Sequence, residues 1–203
     1  FLFGHKKLSP KMHWLAAFAV FAGAWISGFF IVATNAFMQH PVGYEVQADG
    51  TLALTSFWAL ILNPWLLWQY LHTMIGAVVT GSFVMAAIGA YYLLLGKREE
   101  APARARAHAE YGKIFVRLGV MVGLPASFLL AFPTGDFQAV NVARHKPAAF
   151  ASMEGLFESR AGAPLVIIGQ PDMEKMRLDN PIEIPRALSF LTYRRRGAED
   201  QGL

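Results

Sequence analysis

The sequence predicts an all-α fold: a polytopic helical membrane protein with three visible spans and an outer, partly irregular polar region. Three observations predict it. The chain of 203 residues is 55% hydrophobic and 16% charged, against about 25% charged in soluble domains. Three long runs are almost free of charge, and each meets the ~20 residues needed to cross a ~30 Å hydrocarbon core. Lys and Arg gather at certain ends of these runs and are missing at others, as membrane topology requires.

Taken in order, residues 5–13 (HKKLSPKMH) form a basic turn, and residues 14–34 form the first span. Residues 35–56 read as a loop with Pro41, Gly43 and Gly50, carrying Glu45 and Asp49 but neither Lys nor Arg. The second span, residues 64–95, is free of charge and opens on Pro64, whose missing N–H suits a first helical turn. It would be roughly 48 Å long and should tilt or project beyond the bilayer. Residues 97–113 form a second basic loop, and residues 114–133 a third span, with Arg117 snorkelling and a kink at Pro125. The chain divides there, a membrane region of residues 1–134 giving way to an outer region of residues 135–203. In the latter, residues 148–157 read as a short helix and residues 163–193 as irregular structure.

Lys6, Lys7, Lys11 and then Lys97, Arg98, Arg104, Arg106, Lys113 place both basic segments on the cytoplasmic side, with residues 35–56 outside. The third span then delivers residues 135–203 to the outer side. Phe1 reads as the tail of an apolar helix already in progress, and the chain as an internal portion of a longer protein. No cysteine occurs, which excludes disulfides, thiolate metal sites and covalent c-type haem attachment. Nothing resembles a nucleotide-binding glycine loop, a hydrolase triad or a nucleic-acid patch, and topology accounts for the net charge of +4.

His72 is the residue in the second span that calls for a partner, because a lone polar ring in hydrocarbon is costly. Two readings stand at this point. It is a histidine hydrogen-bonded to a neighbouring helix or a water, or it is an axial ligand whose neutral imidazole binds a haem iron. Gly76 and Gly81 would let either a macrocycle or another helix come close. His5, His13, His40, His108 and His145 lie at span ends or in loops without zinc-like spacing. Trp14, Trp58, Trp65 and Trp68 suit an interfacial aromatic belt. Among the outer acids, Glu154 sits among Phe150, Met153 and Phe157 at helical spacing. It is either a solvated surface charge or a carboxylate at an apolar edge that accepts a proton at the membrane surface.

Several strings together resemble the large subunit, subunit I, of the cytochrome bd quinol oxidases. Residues 35–43 (NAFMQHPVG) resemble that family's outer loop after its fourth helix, with Phe37 where tryptophan is commoner. Residues 70–74 (YLHTM) are similar to the fifth-helix segment whose histidine ligates the low-spin haem b. Gly135 and Asp136 open a segment similar to the quinol-binding Q loop, and residues 151–155 (ASMEG) resemble its quinol-associated motif. Residues 169–172 (GQPD) and 184–188 (IPRAL) fit later parts of that loop.

The resemblance implies that His72 is an axial haem b ligand and holds its iron, and that Glu154 belongs to the quinol site. Many members carry a lysine where this chain has Ala149; Lys146, one helical turn earlier, is the substitute it offers. The chain would cover the fourth to sixth helices and much of the Q loop of a terminal respiratory oxidase in a bacterial cytoplasmic membrane. Quinol would be oxidised at the outer, periplasmic face, and oxygen reduced to water at a second haem b and haem d, ligated mostly outside this chain. Subunit II, small accessory subunits and the lipid bilayer are the implied partners, with no nucleic acid. The alternatives are a non-oxidase, quinol-linked membrane b-type cytochrome and a haem-free helical transporter or scaffold.

Overall fold

A computed structural model describes Gly4 and residues 7–202. The expected helix tail at Phe1, and His5 and Lys6 of the first basic turn, lie outside the described residues. The chain divides into two compact units, one ending at Leu130 and the other beginning at Ala131.

Helix α1 spans Pro10–Gln39 and is longer at both ends than the expected span of residues 14–34. Ser9 explains the early start: its hydroxyl accepts the Met12 N–H at 3.4 Å, and Pro10 stands where a helix needs no N–H donor. The helix runs on until Pro41 blocks it, so residues 35–39 are helical and not loop. A hairpin of β1 (Tyr44–Val46) and β2 (Leu52–Leu54) and a short helix α2 (Phe57–Ile61) fill the rest of that segment. Gly43 makes the reversal into the hairpin with φ +68°, and a Cβ there would lie 2.6 Å from that of Ala59. Only glycine fits that position.

Helix α3 covers Leu66–Arg98, 33 residues or roughly 50 Å. Asn63 organises its start. Its side-chain oxygen accepts the Trp65 N–H at 2.9 Å, and its amide nitrogen donates at 2.8 Å to the His40 carbonyl at the end of α1. One buried side chain thus shapes the turn into α3 and ties it to α1. Tyr70 adds a second tie, donating to the Trp25 carbonyl at 3.0 Å, and Gln69 a third, donating to Asn35. Trp65, expected at the membrane interface, is instead 3% exposed and stacked beside His40, whereas Trp14 and Trp58 are exposed.

Helix α4 spans Pro102–Leu129. The basic segment expected as a loop over residues 97–113 is therefore mostly helix, and residues 99–101 make the turn. Its Ala and Arg content favours helix strongly, and the helical arms pack on each other: His108 stacks on Tyr92, ring centroids 5.6 Å apart. The α3–α4 hairpin closes along small residues. A Cβ on Gly89 would sit 2.6 Å from the Val116 nitrogen, one on Gly112 2.8 Å from the Gly89 oxygen, and one on Gly119 2.6 Å from the Ser82 oxygen. Ser82, Gly89 and Gly96 recur every seven residues on α3, and Ala105, Gly112, Gly119 and Ala126 do so on α4. That spacing suits two helices in left-handed contact. Gly76 and Gly81 play no such part. Gly76 makes ordinary contact with Leu130, and no other element among the described residues lies within 4 Å of a Cβ on Gly81.

The runs Pro10–Gln39, Leu66–Arg98 and the one that begins at Pro102 are each long and apolar enough to cross a membrane. Pro125 sits within α4; the helical angles break later, at Phe132 (φ −147°, ψ 122°), before Pro133.

The second unit holds α5 (Asp136–His145), α6 (Pro147–Glu154), β3 (Arg160–Ala161), β4 (Leu165–Asp172), β5 (Arg177–Ile184), α7 (Ala187–Tyr193) and β6 (Glu199–Asp200). Residues 163–193, expected to be irregular, form an antiparallel β4–β5 hairpin and a helix. Pro171, Pro181 and two register shifts interrupt the ladder, which hides its period in the sequence. Asp172 shapes the hairpin turn by accepting the backbone N–H groups of Glu174 and Lys175. The core of this unit is Ala143, Phe150, Ala151, Leu156, Ala163 and Leu188.

Gly89→Ala should lower the thermal unfolding midpoint of the detergent-solubilised protein, because backbone atoms block the new methyl; the cost is about 1–3 kcal/mol. Gly81→Ala gains the same helix propensity without a clash and should leave the midpoint equal or higher. Equal losses in both variants would refute the seam.

Candidate functional site

His72 is the seventh residue of α3, roughly 9 Å along the axis from the helix start. The turn at Asn63 and the ties of Gln69 and Tyr70 to α1 fix the chain just before it. Met74 is buried, its sulfur 3.1 Å from where a Cβ on Gly28 would lie, which fixes the turn just after it. The ring is half-buried, and its Nδ1 is buried with no hydrogen-bond partner among the described residues. An orphaned imidazole nitrogen in apolar surroundings costs on the order of 1–3 kcal/mol unless something binds it. No bond from that nitrogen to a neighbouring helix exists among the described residues. No group of three or more His, Asp or Glu side chains gathers as a metal cluster among the described residues.

Glu154 ends α6, where Gly155 takes the left-handed conformation (φ +65°) and closes the helix. Its half-buried carboxyl faces a cavity of about 280 Å³ within the second unit. Ala131, Phe132, Ala139, Val140, Phe150, Leu165, Leu188 and Leu191 make its walls apolar; Asp136, Glu154 and Thr192 are its polar groups. Met153 turns outward at 72% exposure, so of the apolar neighbours expected around Glu154 it is Phe150 that meets the cavity. Burial pushes the Glu154 carboxyl above the usual glutamate range, and the Asp200 charge adds to the effect.

Lys146 is the single residue joining α5 to α6 (φ −140°, ψ 61°). It stands at the opposite end of α6 from Glu154 and is not among the residues lining the cavity. The structure does not bring these two together there.

Three contributors escaped the sequence reading. Arg194, the first of three adjacent arginines, donates to the Asp136 carboxylate and ties the end of α7 to the start of α5. It does so from a left-handed backbone conformation (φ +58°), rare for a side chain of that size. Ser189, next to the cavity-lining Leu188 in α7, and Asp200 are both buried and form a hydrogen-bonded pair. A two-residue strand offers no periodicity from which Asp200 could be picked out. Arg194 alone carried a signal, as one of three adjacent arginines.

Comparisons with known proteins identify the family. A sequence model described as "Cytochrome bd terminal oxidase subunit I" matches residues 1–203. The chain is 32% identical over 203 residues to the Bacillus subtilis protein named cytochrome bd ubiquinol oxidase subunit 1, covering 100% of this chain and 41% of that one. It is 31% identical over 193 residues to the Escherichia coli protein named cytochrome bd-II ubiquinol oxidase subunit 1, covering 94% of this chain and 35% of that one. Among solved structures, bd oxidase from Geobacillus thermodenitrificans superposes with a TM-score of 0.81 at 27% identity, covering 100% of this chain and 44% of that one. The chain thus spans less than half the length of these relatives. With the match running from its first residue to its last, and three apolar helices as a membrane subunit requires, the chain belongs to the cytochrome bd terminal oxidase subunit I family.

Proposed function

We propose that this chain forms the quinol-oxidising part of a membrane quinol:oxygen oxidoreductase. His72 holds a low-spin haem b, and Glu154 takes a proton from quinol at the outer face. The observation that carries the reading is the apolar cavity with Glu154 at its edge. At about 280 Å³ it lies just below the roughly 300–1,000 Å³ of small-molecule sites, a size for a ring-shaped headgroup whose hydrocarbon tail stays outside.

Quinol gives up two electrons and two protons on becoming quinone. The apolar walls of the cavity exclude water and strengthen any hydrogen bond made inside it. Glu154, in its ionised form, accepts a hydroxyl proton as the electron-rich ring is oxidised. A carboxyl held above its ordinary range is better matched to this task near neutral pH than a solvated one. Asp136, engaged by Arg194, keeps α5 and α7 in place on two sides of the headgroup. Lys146 contributes a positive charge at the α5–α6 junction.

A haem at His72 would supply the one-electron acceptor that this chain's side chains lack. The unpartnered, buried Nδ1 fits such a role, because the ring needs a partner that the described residues do not provide. The excess of Lys and Arg near the α3–α4 turn and before α1 supports an outer location for the cavity-bearing unit, with proton release on that side. The rest of the oxidase, with a second haem b, haem d and subunit II, would reduce oxygen to water.

Glu154→Gln should slow quinol oxidation by the assembled oxidase roughly 10²-fold while leaving haem content unchanged. In the wild type the rate should fall as pH drops through the raised Glu154 titration, because the protonated acid accepts no proton. That acid limb should vanish in the variant. Wild-type turnover in Glu154→Gln would move the quinol site elsewhere.

A further inference from the structure

Helix α7 is flanked by arginines. Residues 184–198 hold four of them, Arg186, Arg194, Arg195 and Arg196, and no acid. The charge rule for topology does not explain them, since Lys and Arg are the residues that an outer segment ordinarily lacks. Arg194 is taken up by Asp136. Arg186, Arg195 and Arg196 are exposed and make no ion pair among the described residues. Arg186 opens α7 with φ +61°, so a long cation stands where the backbone favours glycine. Gly162 gathers the two ends of the helix: a Cβ there would lie 3.5 Å from the Arg186 Cγ and 3.1 Å from the Arg196 carbonyl oxygen. The strip between the arginines is apolar. Leu188, Ser189 and Thr192 are buried, while Phe190, Leu191 and Tyr193 are exposed. The Arg196 guanidinium lies 5.9 Å from the centre of the Phe190 ring, and Leu191 also lines the cavity that Glu154 faces.

We propose that α7 docks on an anionic phospholipid surface: Phe190, Leu191 and Tyr193 enter the boundary of the acyl chains, and Arg186, Arg195 and Arg196 bind the phosphates of anionic headgroups. Amphipathic helices bind membranes in this way, with apolar burial and attraction to anionic lipid adding together. A guanidinium meets a phosphate with paired N–H donors, and its apolar stem stays against the aromatic ring as it reaches outward. An acidic protein surface would meet the arginines but leave the apolar strip between them uncovered. Chain connectivity also favours lipid, because Ala131, the first residue of this unit, directly continues the membrane-length apolar run that starts at Pro102. Docking would hold the cavity wall at Leu191 against the layer in which quinol dissolves. The proposal does not depend on Glu154 being the proton acceptor.

The test uses the assembled, full-length oxidase in nanodiscs of mixed phosphatidylcholine and phosphatidylglycerol, with the lipid that stays bound counted by native mass spectrometry. The wild type should retain phosphatidylglycerol in preference to phosphatidylcholine. In Arg186→Gln/Arg195→Gln/Arg196→Gln, which leaves Arg194 on Asp136, that preference should fall roughly fivefold for each charge removed. The matching lysine triple variant keeps the charges and should keep most of the preference. Phe190→Ser should lower retention with all three arginines intact. Equal phosphatidylglycerol retention in the wild type and the glutamine variant would overturn the proposal. A loss as large in the lysine variant would do the same, by assigning the arginines to folding. So would a glutamine variant that keeps its phosphatidylglycerol and loses a protein subunit, which would identify an acidic partner instead. Full turnover in Glu154→Gln would sink the quinol-site reading and leave the lipid counts untouched.

Discussion

The first unit depends on how closely the backbones of α3 and α4 approach. In a bilayer, lipid tails are as apolar as leucine, so helices gain nothing from leaving them for each other except packing and hydrogen bonds. Gly89, Gly112 and Gly119 let backbone atoms meet where any side chain would intrude. Three residues turn the chain, and both arms then stay together along their length. The hairpin gives α3 a rigid back. Its other side is held by Asn63, Gln69 and Tyr70 on α1, all within the first turns. His72 sits between these supports. Its Nδ1 is buried without a hydrogen-bond partner among the described residues.

The second unit solves a different problem with polar contacts. Its core is small, and its helices are short, eight residues in α6 and seven in α7. Packing alone would orient them weakly. Arg194 on Asp136 and Ser189 between Ala163 and Asp200 supply direction, at positions where the chain ends one element and starts another. These bonds hold α5 and α7 beside an apolar cavity without filling it. The cost is a buried acid with an unsatisfied oxygen. Local strain or unmet polarity of that sort is common where a protein does chemistry.

Much of this was legible in the sequence, for reasons tied to the bilayer. A span must satisfy every backbone group internally, so a charge-free run of some twenty residues has few other readings. His72 and Glu154 stood out because each broke a pattern, one inside an apolar run and one inside an aromatic patch. Helix ends were less legible. Ser9 and Pro10 signal the true start of α1, but the basic residues after them mask it. The Ala- and Arg-rich start of α4 was hidden by its charge, which marks the membrane side and says little about helicity. The β4–β5 hairpin was obscured by Pro171 and Pro181 and by its bulges. Asp200 could not be found without the fold. Its burial comes from long-range pairing with β3, and a two-residue strand carries no local signature.

The claim on which the account turns is that His72 holds a haem iron. Its most direct test is the reduced-minus-oxidised absorption spectrum of the purified, full-length oxidase carrying His72→Ala, with subunit assembly verified by size-exclusion chromatography. The account predicts loss of the low-spin haem b signal, with the remaining haem signals retained. A spectrum unchanged from the wild type would contradict it.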